Sequence, residues 1–488
     1  MIGSHVEAGA LTLDSATAAA CCDAMHAVHA VESLTLHWKA CAAAHGTAKA
    51  ASGQQRVCTA LAAMPALRRL RVCNSSRCTD VVLIAPVLTR LSQLAALDLC
   101  NCGIRADGAA ALAGPLGQLT TLTGLDLSDN DMRAAGAESL APALRGLSQL
   151  SFFDLRSNAI GADGAAALGG PLGHLTALTG LHLGAIRDAG AKLLAPALRG
   201  LSQLSALNLL SNGIGAAGAA ALAGPLGELT ALTGLDLGKN YVGAAGADAL
   251  APGLSRLSRL AVLRLDRNNV HADGAAALGG PLGHLTALTC LDLGENGFCA
   301  AGAELLAPAL RGMRLLKALS LHDSDIGADG AATLAGPLSH LTALTALELS
   351  DNDMRAAGAK SLAPALSGLS QLSFLDLRSN GISADGAAAL ARALCHLTAL
   401  TALDLGKNGV GAPGAGSLAP VLSCLSRLAV LRLDGNNVGD AGAAVLAPPL
   451  SLLTALTRLS IRRNHIGDAG IFQLARLPAL RELSFTPQ

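Results

Sequence analysis

Residues 122–130 read Leu122-Thr-Gly-Leu125-Asp-Leu127-Ser-Asp-Asn130. Leu125 and Leu127 are two apart, so an extended chain puts both on one face and Asp126 on the other. So short a strand cannot stand alone; its recurrence decides the fold. The same L-x-x-L-x-L frame opens at Leu94, Leu150, Leu178, Leu204, Leu232, Leu260 and Leu288, then at Leu316, Leu344, Leu372, Leu400, Leu428 and Leu456. The step is 28 residues throughout, except for one of 26 between Leu178 and Leu204. Partial copies stand at Leu67 and Leu480, and fainter strands at Leu11–Leu13 and Leu34–Leu36. A fixed period of this length is the mark of a solenoid, in which each unit buries its apolar face only against its neighbours.

The remainder of each unit follows from local chemistry. An Asn three residues after the last Leu (Asn130, Asn158, Asn212, Asn240, Asn268, Asn296) sits where the chain turns inward, and its amide can satisfy backbone groups buried there. An aliphatic residue and a Gly-Ala helix start come next, as in Asp163-Gly164-Ala165-Ala166-Ala167-Leu168. Asp107, Asp163, Asp273, Asp329 and Asp385 are expected to cap those helices. Two unit types alternate, DGAAALAGPLGxLTxLT and AGAxxLAPALxxLSxLS, giving a 56-residue super-period. Both carry a Pro in the helical part, such as Pro115 and Pro142, so short or bent helices are expected.

Composition excludes several classes. The chain has 488 residues, 51% hydrophobic but only 2% aromatic, so its core must be rows of Leu and Ala. That hydrophobicity rules out general disorder. The 35 basic and 35 acidic residues cancel, leaving no overall field for nucleic acid or anionic lipid. Mean hydropathy is +0.46, and Gly164–Ile186 runs 23 residues without a charge. Its glycines, Pro171 and recurrence mark a turn-containing repeat, and no membrane insertion is expected. The N-terminal residues have no basic region followed by an apolar run, so a cytoplasmic protein is expected, with the twelve cysteines as free thiols. Cys73 and Cys100, at equivalent places after adjacent strands, are the pair for which a disulfide is conceivable.

The 28-residue unit with LxxLxLxxN-x-I-xxxGAxxLA text resembles the ribonuclease-inhibitor-like class of leucine-rich repeats, and its GAxALA wording is similar to GALA-type repeats. The resemblance covers residues 61–488, with 1–60 as an N-terminal cap or degenerate repeats. It implies an α/β solenoid of about 14 full repeats, shaped as a horseshoe with parallel strands on the concave side and helices on the convex side. It also implies a non-enzymatic scaffold or adaptor that binds a protein partner on the concave face. Two alternatives share the repeat type: a GTPase-activating regulator similar to Ran GTPase-activating proteins, and a ligand-sensing fragment of a larger receptor. The closing residues RELSFTPQ lack the acidic tail usual in the former. The unit at Leu178 (LHLGAIRDAG) is two residues short and lacks the Asn; Cys102 and Ser324 replace the Asn in two others.

The outward residue of each strand forms a column: Asp98, Asp126, Asp154, His182, Asn208, Asp236, Arg264, Asp292, Ser320, Glu348, Asp376, Asp404, Arg432 and Ser460. Eight of the fourteen are acidic, which suits a basic partner surface or simply keeps an exposed strand soluble. Two near-copies, 127–178 and 349–400, repeat one triplet: Phe152, Asp154 and Arg156, then Phe374, Asp376 and Arg378. Exposed aromatics beside Arg dominate binding energy at interfaces. These six, with Asp236, Arg264 and Asp292, are the candidate partner-binding residues. Cys22/His26 and Cys41/His45 are spaced i,i+4 and could in principle form a zinc site, but match no standard pattern. Gly238-Lys239-Asn240 lacks the Ser/Thr and earlier glycine of a phosphate loop. No catalytic residues, metal or cofactor are expected.

Overall fold

The computed structural model describes residues 10–14, 32–37, 57–59, 61–73 and 78–486. The zinc candidates Cys22, His26, Cys41 and His45, and the Cys73 thiol, lie outside what is described. The chain divides into two units, Met1–Asn240 and Tyr241–Gln488.

In the first unit the described residues form nine strands, from Ala10–Asp14 to Gly234–Asp236. Every neighbouring pair is parallel, and the repeat spacing sets the register: Leu97, Leu125, Phe153, Leu181, Leu207 and Leu235 stand opposite one another in turn. The faint strands Ala10–Asp14 and Ser33–His37 join in the same way. Helices such as Arg105–Gly117, Arg133–Leu144 and Gly161–Gly173 return the chain from one strand to the next and pack in sequence order. The second unit repeats this plan with nine strands, Val262–Arg264 to Glu482–Ser484, again parallel. Each unit is thus an open parallel sheet covered on one side by helices, an α/β solenoid.

The core is the space between sheet and helices. Leu122, Leu125 and Leu127 are 0% exposed, and Leu140 of the covering helix is 1% exposed. Each such Leu contributes about 2 kcal/mol by leaving water, so the repeated leucines outweigh any single surface feature. A second row is polar. Asn240 donates through Nδ2 to the carbonyls of Leu209, Leu237 and Gly238 at 2.9, 2.8 and 3.1 Å. Its Oδ1 accepts from the amides of Asn212 and Ile214, both at 3.0 Å. All of this side chain's hydrogen-bonding capacity is used on backbone that would otherwise be buried unpaired. Cys102 and Ser324 retain part of the role, the thiol donating to the Val72 carbonyl and the hydroxyl to that of His322. At the short unit the ladder has no Asn, yet Gly180–His182 pairs in register with both neighbours. The two missing residues fall in the turn, and Ala185 and Arg187 keep the positive φ that Asp129 and Arg133 have in a full-length unit.

Two expectations need correction. Asp107, Asp163, Asp273, Asp329 and Asp385 do not cap their helices; each lies inside the first turn, and the cap positions are aliphatic (Ile104, Ile160, Val270, Ile326, Ile382) with no side-chain cap bond. The aliphatic residue must stay in the core, so the helix begins directly after it. The carboxylates then act only through the positive end of the helix dipole. Nor do the prolines shorten the helices. Pro115 and Pro171 sit near the C-terminal ends of 13-residue helices, which run on past them; a lost bond there costs little more than normal fraying.

Candidate functional site on the strand face

The outward column is less open than an alternating strand suggests. Asp154, Asp236 and Asp404 are 1%, 9% and 6% exposed, whereas Arg264 is exposed and Asp292 half-buried. The reason is local. Asp98, Asp126, Asp154, Asp236, Asp292, Asp376 and Asp404 each accept, through Oδ1, the backbone amide two residues on, at 2.9–3.2 Å. Asn208 does the same for Leu210. The carboxylates therefore close the turn that ends each strand. This structural duty escaped the sequence reading, although Asn208 in the same column was a signal, since Asp and Asn share that turn chemistry.

In the first triplet the strand Phe152–Asp154 brings together four side chains. Arg156 Nη2 lies 2.6 Å and Nε 3.0 Å from Asp154 Oδ2. His182, one strand over, places Nδ1 3.1 Å from the same oxygen. That nitrogen carries the hydrogen, because the ionised carboxylate can only accept. Burial pushes the Asp154 carboxyl up, but the bonds from His182 and Arg156 prevail and hold it at about 2. The Phe152 ring stands edge-on to His182, centroids 5.1 Å apart at 82°. The ring leans over Gly180, where a Cβ would come within 2.9 Å of Phe152 Cδ2. His182 was absent from the expected site, yet it joins the aromatic to the ion pair.

The second triplet is built differently. Phe374 is half-buried and Arg378 exposed. Arg378 donates its backbone amide to Asp376 at 2.9 Å, but the two side chains form no salt bridge. The next strand offers Asp404 in place of a histidine. Burial, with Glu348 nearby, raises the Asp376 carboxyl, only partly offset by the Arg378 amide and the Ser350 hydroxyl. Asp236 keeps its turn bond to Gly238, and Asp292 its bond to Gly294. Phe152, Asp154 and Arg156 thus form one cluster with His182, and Phe374, Asp376 and Arg378 line another stretch of strand face.

The Leucine Rich repeat family model matches residues 118–141, 150–169, 202–223, 340–363, 371–391, 396–419, 428–447 and 453–475. With the parallel strand–helix repeat above, these matches support a leucine-rich repeat solenoid. Among solved structures it is similar to an internalin (inlF) from Listeria monocytogenes str. 4b F2365, with 25% identity over 71% of this chain and 83% of that one and a TM-score of 0.47. It is also similar to the chain of the TLR13–ssRNA13 complex, with 17% identity over 93% of this chain and 64% of that one and a TM-score of 0.44. At these scores neither likeness speaks to what this chain binds. No curated protein matches it. No helix among the described residues is long and apolar enough to cross a membrane.

Proposed function

We propose that the chain is a ribonuclease-inhibitor-like, non-enzymatic, cytoplasmic scaffold whose strand face binds a partner protein. The observation that carries this reading is the Phe152–His182–Asp154–Arg156 cluster. A half-buried aromatic, a histidine and an arginine are locked together on a rigid sheet before any partner arrives. Preorganised aromatic and arginine side chains lose little entropy on binding and supply most interface energy. Phe374 and Arg378 present the same residue types without the lock.

The test is capture of partners by the purified chain, with cross-links mapped to residues, alongside the double variant Phe152→Ser/Phe374→Ser. The variant is expected to lose the cross-linked partner while its melting midpoint moves by less than about 5 °C. Undiminished capture by a well-folded variant would remove these residues from the interface. Faster GTP hydrolysis by small GTPases in the chain's presence would reassign it to the GTPase-activating class.

A further inference from the structure

The strand face of the Tyr241–Gln488 unit has a hollow of about 710 Å³ near its C-terminal strands. Two glycines line it. Gly406 holds the place that Arg378 holds one strand earlier, and a Cβ there would stand 3.5 Å from Arg378 Cγ. Gly435 holds the place of Lys407, with φ +65°, and its Cβ would stand 3.4 Å from Lys407 Cγ. Where the strand just before carries Arg378 and Lys407, these positions are bare backbone, and the stems of those two side chains lie beside it.

Six cations line the hollow: Arg378, Lys407, Arg432, Arg458, Arg462 and Arg463. Only three anions do, Asp404, Asp434 and Glu482, and two of these are occupied. Asp404 closes the turn at Gly406 and faces Arg432 at 3.4 Å. Asp434 accepts the Ser460 hydroxyl at 2.7 Å and the Arg462 amide at 2.6 Å. Arg378, Lys407, Arg458 and Arg463 enter no salt bridge among the described residues. A chain with no net charge thus concentrates positive charge in one concave place, the arrangement that focuses a field on an anionic ligand.

The same face limits that ligand. Glu348, Asp376 and Asp404 stand side by side on successive strands leading to the hollow. A long polyanion laid along the sheet would run into them. A compact acidic stretch would not, and a basic residue beside it would find them complementary.

We propose that this hollow binds an acidic segment of a protein partner, several clustered carboxylates followed by a basic residue, with the carboxylates on the arginines and the basic residue toward Asp376 and Glu348. This deepens the scaffold reading and rests on it. Arginine suits the task because its planar fork takes a carboxylate in two parallel bonds.

The probe is a fluorescein-labelled peptide of consecutive glutamates followed by two lysines, titrated with the full chain by fluorescence anisotropy. Arg458→Gln/Arg463→Gln is expected to weaken binding about tenfold. Arg458→Lys/Arg463→Lys should recover part of it, and Arg133→Gln/Arg145→Gln, in the other unit, should change it less than about twofold. Equal weakening by the two glutamine pairs would overturn the proposal, as would no binding by the parent chain. Displacement of the peptide by pyrophosphate or oligothymidylate at lower concentration than by its unlabelled copy would also overturn it, in favour of a phosphate ligand. A chain that still captures its cross-linked partner but ignores the peptide loses only the hollow, not the scaffold reading.

Discussion

Residues 150–158 (LSFFDLRSN) and 372–380 (LSFLDLRSN) differ at one position, yet their carboxylates live in opposite circumstances. Asp154 is clamped by Arg156 and His182 and held at about 2. Asp376 has neither clamp and is raised by burial. Ser157 is exposed, whereas the Ser379 hydroxyl is buried with no hydrogen-bond partner. Within each unit the cause lies one strand further on. There the first copy meets Gly180 and His182, and the second meets Ala402 and Asp404. A histidine next to the carboxylate completes the ion pair; an aspartate leaves Arg378 to lie over Gly406 instead. Strand-face chemistry in a repeat protein is therefore a property of neighbouring rungs taken together.

The comparison breaks most severely if the two copies differ in their ladder asparagines. Asn158→Ala and Asn380→Ala should each destabilise by about 3 kcal/mol, since each strands three carbonyls that the amide now satisfies. Denaturant titration checks this, and a cost near zero for either would sink the ladder account.

The carboxylates should differ in sign. Asp154 titrates near 3.9 when unfolded and about 2 when folded, so folding favours its ionised form. Its contribution, about 2–3 kcal/mol, is complete above about pH 5 and disappears as the pH falls through the unfolded value and past the folded one. Asp376 is shifted the other way, so its contribution is complete below the unfolded value and is lost as the pH rises through the folded one. Asp154→Asn should therefore lower stability at neutral pH and flatten the acid limb, while Asp376→Asn should leave neutral stability unchanged or raise it. Two parallel pH–stability curves would refute the contrast.

Removing the guanidinium sharpens the same point. Arg156→Gln should cost about 1 kcal/mol by uncovering a buried carboxylate. Arg378→Gln should fall within about 0.5 kcal/mol of the parent, as for an ordinary exposed site. The smallest effect is expected at the serines. Ser379→Ala should be neutral or stabilising by less than about 1 kcal/mol, because it deletes a buried hydroxyl without a partner. Ser157→Ala, at an exposed position, should do nothing measurable. Matched thermal melts decide both.

Much of this molecule was legible in its text. The spacing of Leu122, Leu125 and Leu127 set strand, register and core, and the Asn positions located the polar row. Periodicity is readable because each leucine faces the same environment as its counterpart 28 residues away. The helix starts were misjudged because capping preference is worth about 1 kcal/mol and yields to the burial of Ile104 or Ile160 just ahead of the helix. The run Arg458-Leu-Ser-Ile-Arg462-Arg463 was visible, but nothing in it says that its guanidiniums border the bare floor at Gly406 and Gly435.

By itself, then, the sequence determined the repeat, the buried leucine and asparagine rows and the order of side chains up each column, since all follow from local period and burial. Tertiary structure alone decided which carboxylates are consumed by their own turn, which arginine folds back on its aspartate, and where missing side chains open a hollow. The physical reason is range: period and burial are properties of one unit, whereas an ion pair or a cavity depends on side-chain directions across adjoining strands, set only once they pack.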